Sequence, residues 1–154
     1  KHDYVSWALE VAGVTRAWCY ASELGLGTVT VRFVRDNDAS LIPDAGEVSA
    51  VQAYIDDRRP VTAAVTVVAP VANPVNFTIA GLDPSSAAVR AAVQAELADL
   101  LLREAEPGGT ILISHIRAAI SAAAGENDYS LTVPSGNVTN ATGTISTMGT
   151  ITWA

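Results

Sequence analysis

The apolar positions of the first 35 residues change from helical to extended spacing. Residues 3–11 carry apolar side chains at helical intervals, which predicts a short helix with Asp3 as its N-cap. The side chains expected to face inward are those of Val5, Trp7 and Leu9. Residues 14–21 and 28–35 alternate between two faces, which predicts two strands. The short connection between them contains glycine and favours an antiparallel hairpin.

A helix and a third strand are predicted to follow the hairpin. Asp44 precedes Glu47 by three residues, the spacing of a capping box, and this predicts a helix that runs to about Arg58. The stripe expected to be buried comprises Val48, Val51 and Ile55. Residues 61–69 are rich in β-branched side chains, which favours a strand.

The second half of the chain repeats this order of strand and helix. Residues 75–80 alternate and predict a strand with Val75, Phe77 and Ile79 on one face. Asp83, followed by proline, predicts the start of a long helix that runs to about Ala105. The residues of that helix at buried spacing are Val89, Val93, Leu97, Leu100 and Leu101.

The last part of the chain predicts one more helix and a strand-rich tail. Ser114 is the expected N-cap of this helix and Gly125 its end, after a short extended piece at residues 110–113. The inward side chains are expected to be Ile116, Ala119, Ile120 and Ala123. Residues 129–154 are rich in Thr, Ser, Asn and Gly and predict one or two strands.

These elements predict an α+β fold made of two small modules, residues 1–70 and 73–154. The prolines at positions 70 and 74 mark the boundary between them. Each module is expected to combine antiparallel or mixed strands with helices packed on one face of the sheet. The other face is then partly exposed in a monomer and available to a partner in an assembly.

Composition excludes several classes of function. Apolar residues make up 49% of the chain and charged residues 16%, with a net charge of −7, so we expect no nucleic-acid binding. The longest apolar stretch, about residues 61–72, is too short and too interrupted to span a bilayer. The first residues hold no signal-peptide pattern and no initiator Met, which favours a fragment of a longer protein.

An acidic loop is the strongest candidate for a metal site. Its side chains match positions 1, 3, 5, 9 and 12 of a calcium-binding EF-hand loop, and they are Asp36, Asp38, Ser40, Asp44 and Glu47. Leu41, however, holds the position that needs glycine, and a strand rather than a helix is predicted to precede the loop. We therefore interpret it as a strand-to-helix connection and predict no metal site.

Other reactive side chains have simpler interpretations. Ser114 and His115 are adjacent, but no nucleophile-elbow motif surrounds them, and helix capping accounts for the serine. Cys19 lies beside two aromatic residues on a predicted strand, where a buried, inert thiol is the rule, with Arg16 and His2 as the cations that could activate it. We predict no catalytic residues and no cofactor, and hence not an enzyme.

Several segments together resemble the C-terminal part of the Baseplate J-like protein family. They follow one another in order from Tyr4 to Trp153, and are residues 13–18, 24–36, 58–62, 106–110, 116–120 and 149–153. The resemblance implies a structural component of the baseplate of a contractile phage tail or a related injection particle, assembled in the bacterial cytoplasm. It also implies contacts with other copies of the chain and with other baseplate and tail proteins, and no catalytic residues.

The contact residues of such an assembly are expected to include Trp7 and Trp153, because a large ring near either end of a small domain is hard to bury and tryptophan is enriched at interface centres. Two alternatives remain open. One is a ligand-binding regulatory module of ferredoxin-like type, which would show an effector pocket. The other is an enzyme that uses the acidic loop at residues 36–47 as a metal site.

Overall fold

A computed structural model describes residues 2–154, without the side chain of His2. It confirms the α+β class, and the chain divides into two compact units, Lys1–Val71 (unit 1) and Ala72–Ala154 (unit 2). The elements of the first half are α1 (His2–Glu10), β1 (Arg16–Ala21), β2 (Thr28–Val34), α2 (Ala45–Asp56) and β3 (Ala64–Val67). Those of the second half are β4 (Val71–Asp83), α3 (Ala87–Glu104), β5 (Thr110–Ile111), α4 (Ile113–Ser121), β6 (Asp128–Val133), β7 (Val138–Thr139) and β8 (Thr144–Trp153).

Unit 1 contains a three-stranded sheet in the order β1-β2-β3. β1 and β2 are antiparallel, with Trp18 opposite Arg32, so the predicted hairpin is confirmed. β3 is parallel to β2, with Val65 beside Val29, because α2 provides the crossover that a parallel pair needs. β3 covers only the middle of the nine residues predicted to be extended.

The core of unit 1 lies between the sheet and the two helices. Val31 and Phe33 alternate into it from β2, as predicted, and both are completely buried. The prediction for α1 is wrong in two respects. Leu9 is 44% exposed and Ala8 is buried instead, because the face packed on the core is that of Tyr4, Trp7, Ala8 and Val11, of which Trp7 was predicted. Asp3 lies inside the helix rather than at its cap.

The capping box at the start of α2 is confirmed. The Glu47 backbone N–H donates to the Asp44 carboxylate at 2.8 Å, and the Asp44 N–H donates to the Glu47 carboxylate at 3.0 Å. Val51 and Ile55 are buried as predicted, and Val48 packs partly against the same core. The helix ends at Asp56, two residues before the predicted end.

The outer edge of β3 is closed by side chains. The Gln52 amide of α2 accepts from the Val67 N–H at 2.7 Å and donates to the Val65 carbonyl at 3.1 Å, in the manner of a neighbouring strand. The Arg59 guanidinium donates to the next outward carbonyl, that of Ala63. These backbone groups are therefore already hydrogen-bonded and do not pair with an added strand.

Unit 2 contains a sheet in the order β6-β4-β8 and a two-stranded antiparallel sheet of β5 and β7. Val75, Phe77 and Ile79 of β4 are buried on one face, as predicted. β4 is more than twice as long as expected, because it starts at Val71, between the two prolines of the predicted boundary, and continues to Asp83. The tail forms three strands, β6, β7 and β8, rather than one or two.

The start of α3 differs from the prediction. Ser86, and not Asp83, is the N-cap, and its hydroxyl accepts from the Val89 N–H at 3.2 Å. Asp83 instead ends β4, where Asn127 donates to its carboxylate at 3.1 Å and to its carbonyl at 2.9 Å. The five residues predicted to be buried along this helix are all buried.

The start of α4 also differs. Leu112 occupies the N-cap position and its side chain makes no capping hydrogen bond, while Ser114 lies within the first turn. The Asn137 side chain, from the connection between β6 and β7, accepts from the Ile113 N–H at 2.9 Å in its place. The four side chains predicted to face inward, from Ile116 to Ala123, are all buried. Within residues 2–154, none of the helices combines the length and apolarity that crossing a bilayer requires.

The two serines give a matched test of these helix starts. Ser86→Ala is expected to lower the free energy of unfolding by about 1 kcal/mol, because the helix loses its side-chain cap. Ser114→Ala is expected to change it by less than about 0.5 kcal/mol, since that hydroxyl caps nothing. Urea denaturation with unchanged m-values measures both. Equal losses for the two variants would contradict the observed starts.

At Gly149 the backbone of β8 lies close to β4. A Cβ built at this position would lie 2.5 Å from the Val75 carbonyl oxygen and would also overlap the Asn76 side chain. The side-chain amide oxygen of Asn76 in turn accepts from the Thr150 N–H at 2.9 Å. Glycine is therefore required at position 149 because a side chain has no room there, and not because of its backbone dihedral angles.

Gly149→Ala is expected to lower the free energy of unfolding by about 1–3 kcal/mol, because the added methyl group must push β8 away from β4. Gly136→Ala is the control, since a Cβ there meets no atom within 4 Å. Thermal and urea unfolding of the two variants measure the difference. A Gly149→Ala protein as stable as the control would show that the two strands separate at no cost.

Candidate interaction surface

The two tryptophans proposed as contacts are each partly buried within their own unit. The Trp7 ring meets Tyr4 edge to face, with ring centroids 5.6 Å apart, and packs against the core of unit 1. The Trp153 ring lies under the Arg90 guanidinium, 5.4 Å from its centroid. Both rings keep some exposed area, and their role as partner contacts stays a prediction.

Two loops of unit 1 carry apolar side chains at the same end of its sheet. The β1–β2 hairpin occupies residues 22–27, and the loop between α2 and β3 enters at the same end because Ala64 is aligned with Thr28. Three large apolar side chains on these loops are exposed, and we call them the end patch: Leu24 (54%), Leu26 (97%) and Val61 (98%). Contiguous apolar surface is typical of an interaction site, and these side chains lie on two turns at one end of the same sheet.

The hairpin that carries the end patch is held by a buried ion pair. Arg32 of β2 donates through Nε to the Glu23 carboxylate at 2.8 Å, and the two side chains are only 9% and 6% exposed. The same guanidinium donates to the Ala69 carbonyl at 2.9 Å. Glu23 is the one charged residue of the hairpin loop, so its pairing leaves the loop without an exposed charge.

Three acidic side chains of the former calcium candidate, those of Asp36, Asp38 and Glu47, pair with arginines, and the fourth, Asp44, caps α2. Asp36 receives two hydrogen bonds from Arg16, at 2.8 and 2.9 Å, and one from Thr15 at 2.6 Å. Arg35 pairs with Asp38 at 2.5 Å and also with Glu47. Among residues 2–154 we find no group of three or more His, Cys, Asp or Glu side chains placed to hold a metal ion.

The Arg35 guanidinium ties this loop to the turn between α1 and β1. It donates to the Ala12 carbonyl at 2.9 Å and lies over Gly13, where a Cβ would overlap it. Gly13 also has a φ of +92°, which favours glycine. These contacts hold the acidic loop at residues 36–47, which we call the strap, to the turn between α1 and β1.

The remaining reactive side chains also have structural surroundings. His115 Nδ1 lies 2.6 Å from the Glu104 carboxylate, which joins α4 to the end of α3. Ser114 precedes it on the helix, and adjacent helical side chains do not face each other. Cys19 packs against the core of unit 1, and the side chain of His2 lies outside the described residues.

The sequence prediction missed the end patch, although a signal for it exists. Turn tips normally carry polar residues, and apolar side chains there need a reason. Leu26 stands between two glycines of a hairpin loop, and Val61 directly follows Pro60. Neither position fits a buried stripe, and both could have been singled out on that ground.

Comparison with known families covers nearly the whole chain. The Baseplate J-like central domain matches residues 1–69, and the Baseplate J-like protein C-terminal domain matches residues 75–154. The chain belongs to the Baseplate J-like family. The predicted family is thereby confirmed, but the match is not restricted to the C-terminal part, because the first half of the chain corresponds to the central domain.

Three relatives align with 98–99% of this Baseplate J-like chain. They are the putative protein JayE of Escherichia coli K12 (39% identical), the Mu-like prophage FluMu protein gp47 of Haemophilus influenzae (37%) and the baseplate protein gp47 of Escherichia phage Mu (36%). The alignments cover 57%, 45% and 45% of these relatives. The chain therefore spans about half the length of the curated relatives it matches.

The strap of the Baseplate J-like chain predicts an acid-sensitive contribution to stability. Burial raises the pKa of the Asp36 carboxyl, but hydrogen bonds from Arg16 and Thr15 and the charge of Arg16 together lower it by more, so that this pKa lies below its ordinary value. A depressed pKa stabilises the fold above the ordinary aspartate pKa of about 3.9, and this stabilisation is lost as the pH falls through the depressed value.

Asp36→Asn is therefore expected to be less stable than the parent at pH 7, and the difference should shrink as the pH falls below about 4. Urea denaturation at a series of pH values measures it. Asp57→Asn removes the same charge at a side chain that is 84% exposed, and it controls for net charge. A difference for Asp36→Asn that does not vary with pH would contradict the assigned role of the carboxylate.

Proposed function

We propose that this chain is a structural, non-enzymatic component of the baseplate of a contractile phage tail or a related injection particle. The observation that carries the proposal is the match of two consecutive Baseplate J-like domains along nearly all of the chain. A relative that aligns over 99% of the chain is the baseplate protein gp47 of phage Mu. The proposed location is accordingly the tail baseplate, with assembly in the bacterial cytoplasm.

The surroundings of the polar side chains support a structural role. The carboxylates of Asp36 and Glu23 are used in ion pairs that hold loops to the sheet. Asp44 and Glu47 cap a helix. Each of these groups has a partner that a substrate or metal would have to displace.

Contacts with other baseplate proteins and with further copies of the chain are proposed to use side-chain surfaces rather than strand addition. The closed edge of β3 supports this, because Gln52 already satisfies the backbone groups that an added strand would pair with. The end patch offers exposed apolar side chains, and Trp7 and Trp153 are the further proposed contacts. With a net charge of −7, partners are expected to be proteins rather than nucleic acids.

Immunoelectron microscopy tests the proposed location. Antibodies raised against this chain are expected to label one end of tails purified from a strain that expresses the gene with its neighbouring tail genes. A strain lacking the gene is the control for nonspecific labelling. Label along the tail tube, on the head, or only on unassembled protein would contradict a baseplate role.

Self-association of the chain is expected to depend on the end patch. Light scattering between about 10 and 200 μM should show the parent mass rising with concentration and with salt, which screens the repulsion between copies. Leu26→Ser combined with Val61→Ser should keep the protein monomeric and change its stability by less than about 0.5 kcal/mol, because both side chains are almost fully exposed.

Trp7→Ala and Trp153→Ala test the two further proposed contacts. Each is expected to weaken self-association and also to lower the free energy of unfolding, because both rings pack within their own unit. Leu102→Ser removes an exposed leucine on α3, outside the patch, and is the matched control. An end-patch double variant that associates like the parent would overturn the assignment of this surface.

A further inference from the structure

A groove runs between α3 and α4 in unit 2. It encloses about 260 Å³ and is open along one side. Its floor is apolar and consists of Leu100, Ala118, Ala119 and Ala122. The alanines keep the two helices from filling the space between them. The volume is below the range of about 300–1,000 Å³ that is typical of small-molecule sites, and suits a single inserted side chain.

The rim of the groove carries an excess of negative charge. Arg103 pairs with Asp99 at 2.7 Å and lies 3.9 Å from Glu104, whose other oxygen is 2.6 Å from His115 Nδ1. Glu96 lines the groove and is half-buried. Three carboxylates therefore surround one guanidinium and one imidazole.

Glu96 is the carboxylate left for a partner. Within the described residues, Glu96 attracts the Arg103 guanidinium only at longer range, because the short hydrogen bond of that guanidinium goes to Asp99. A half-buried carboxylate gains from a second cation close to it, because the groove walls reduce the screening by water. Its position above an apolar floor suits a side chain with a long aliphatic stem and a positively charged end.

We propose that this groove receives an arginine side chain from a partner protein. The stem would cover the three alanines, and the guanidinium would pair with Glu96. This deepens the proposed function, on which it rests, by naming the chemistry of one neighbour in the assembly. Arginine fits better than lysine because its planar guanidinium matches a carboxylate through two hydrogen bonds and is more weakly hydrated.

NMR titration of the full chain with N-acetyl-arginine methylamide tests the groove directly. Chemical-shift changes are expected at the residues that line it, with a dissociation constant of about 1–10 mM for this isolated side chain. The norleucine analogue, which has a similar stem and no charge, should bind more weakly. Shift changes spread over the surface, equal binding of norleucine, or no binding up to about 50 mM would each overturn the proposal.

Variants separate charge from shape. Glu96→Gln should weaken binding about threefold, as expected for a partly exposed ion pair, whereas Glu126→Gln, with the same charge change outside the groove, should not. Ala118→Met should abolish binding by filling the groove. Ala95→Met adds the same side chain at an exposed position of α3 that does not line the groove, and it should bind like the parent.

The titration requires no baseplate, so its outcome is distinguishable from that of the proposed function. A negative titration together with baseplate labelling would remove the arginine site and leave the structural role in place. Binding to the groove in a protein that is absent from tail baseplates would remove the structural role instead.

Discussion

Strand β2 is buried on both of its faces, and unit 1 is organised around that constraint. Val31 and Phe33 fill the core under the helices, while Thr30 and Arg32 on the opposite face are also buried. A buried guanidinium needs a counter-charge and acceptors, since its desolvation would otherwise cost several kcal/mol. Glu23 and the Ala69 carbonyl supply them, and this requirement fixes both the β1–β2 hairpin and the segment after β3.

Hydrogen bonds do not satisfy every polar group that is buried on β2. The Thr30 hydroxyl is buried and has no hydrogen-bond partner among the described residues. An unsatisfied buried hydroxyl costs about 1–3 kcal/mol, which is a large share of the stability of a unit of this size. Packing around Phe33 and Ile55 must offset this cost. The stability of unit 1 therefore depends on the alternation of apolar and polar side chains along β2.

Helix starts show which features can be read from a sequence. The capping box of α2 could be predicted because Asp44 and Glu47 are three residues apart and need no other part of the chain. Asp83 has equally favourable local chemistry, but Asn127, distant in sequence, holds it in the sheet. For α4 the capping group is Asn137, which no local pattern connects with Ile113. Local rules fail where a distant side chain competes for the same atoms.

The surface available to partners depends on which strand edges are already covered. Because side chains cover the outer edge of β3, strand addition is disfavoured at that edge. Side chains already held in position, such as those on the hairpin fixed by the Glu23–Arg32 ion pair, remain available for contacts. Preformed surfaces of this kind bind with little rearrangement of the backbone. That property suits the proposed role of a structural baseplate component.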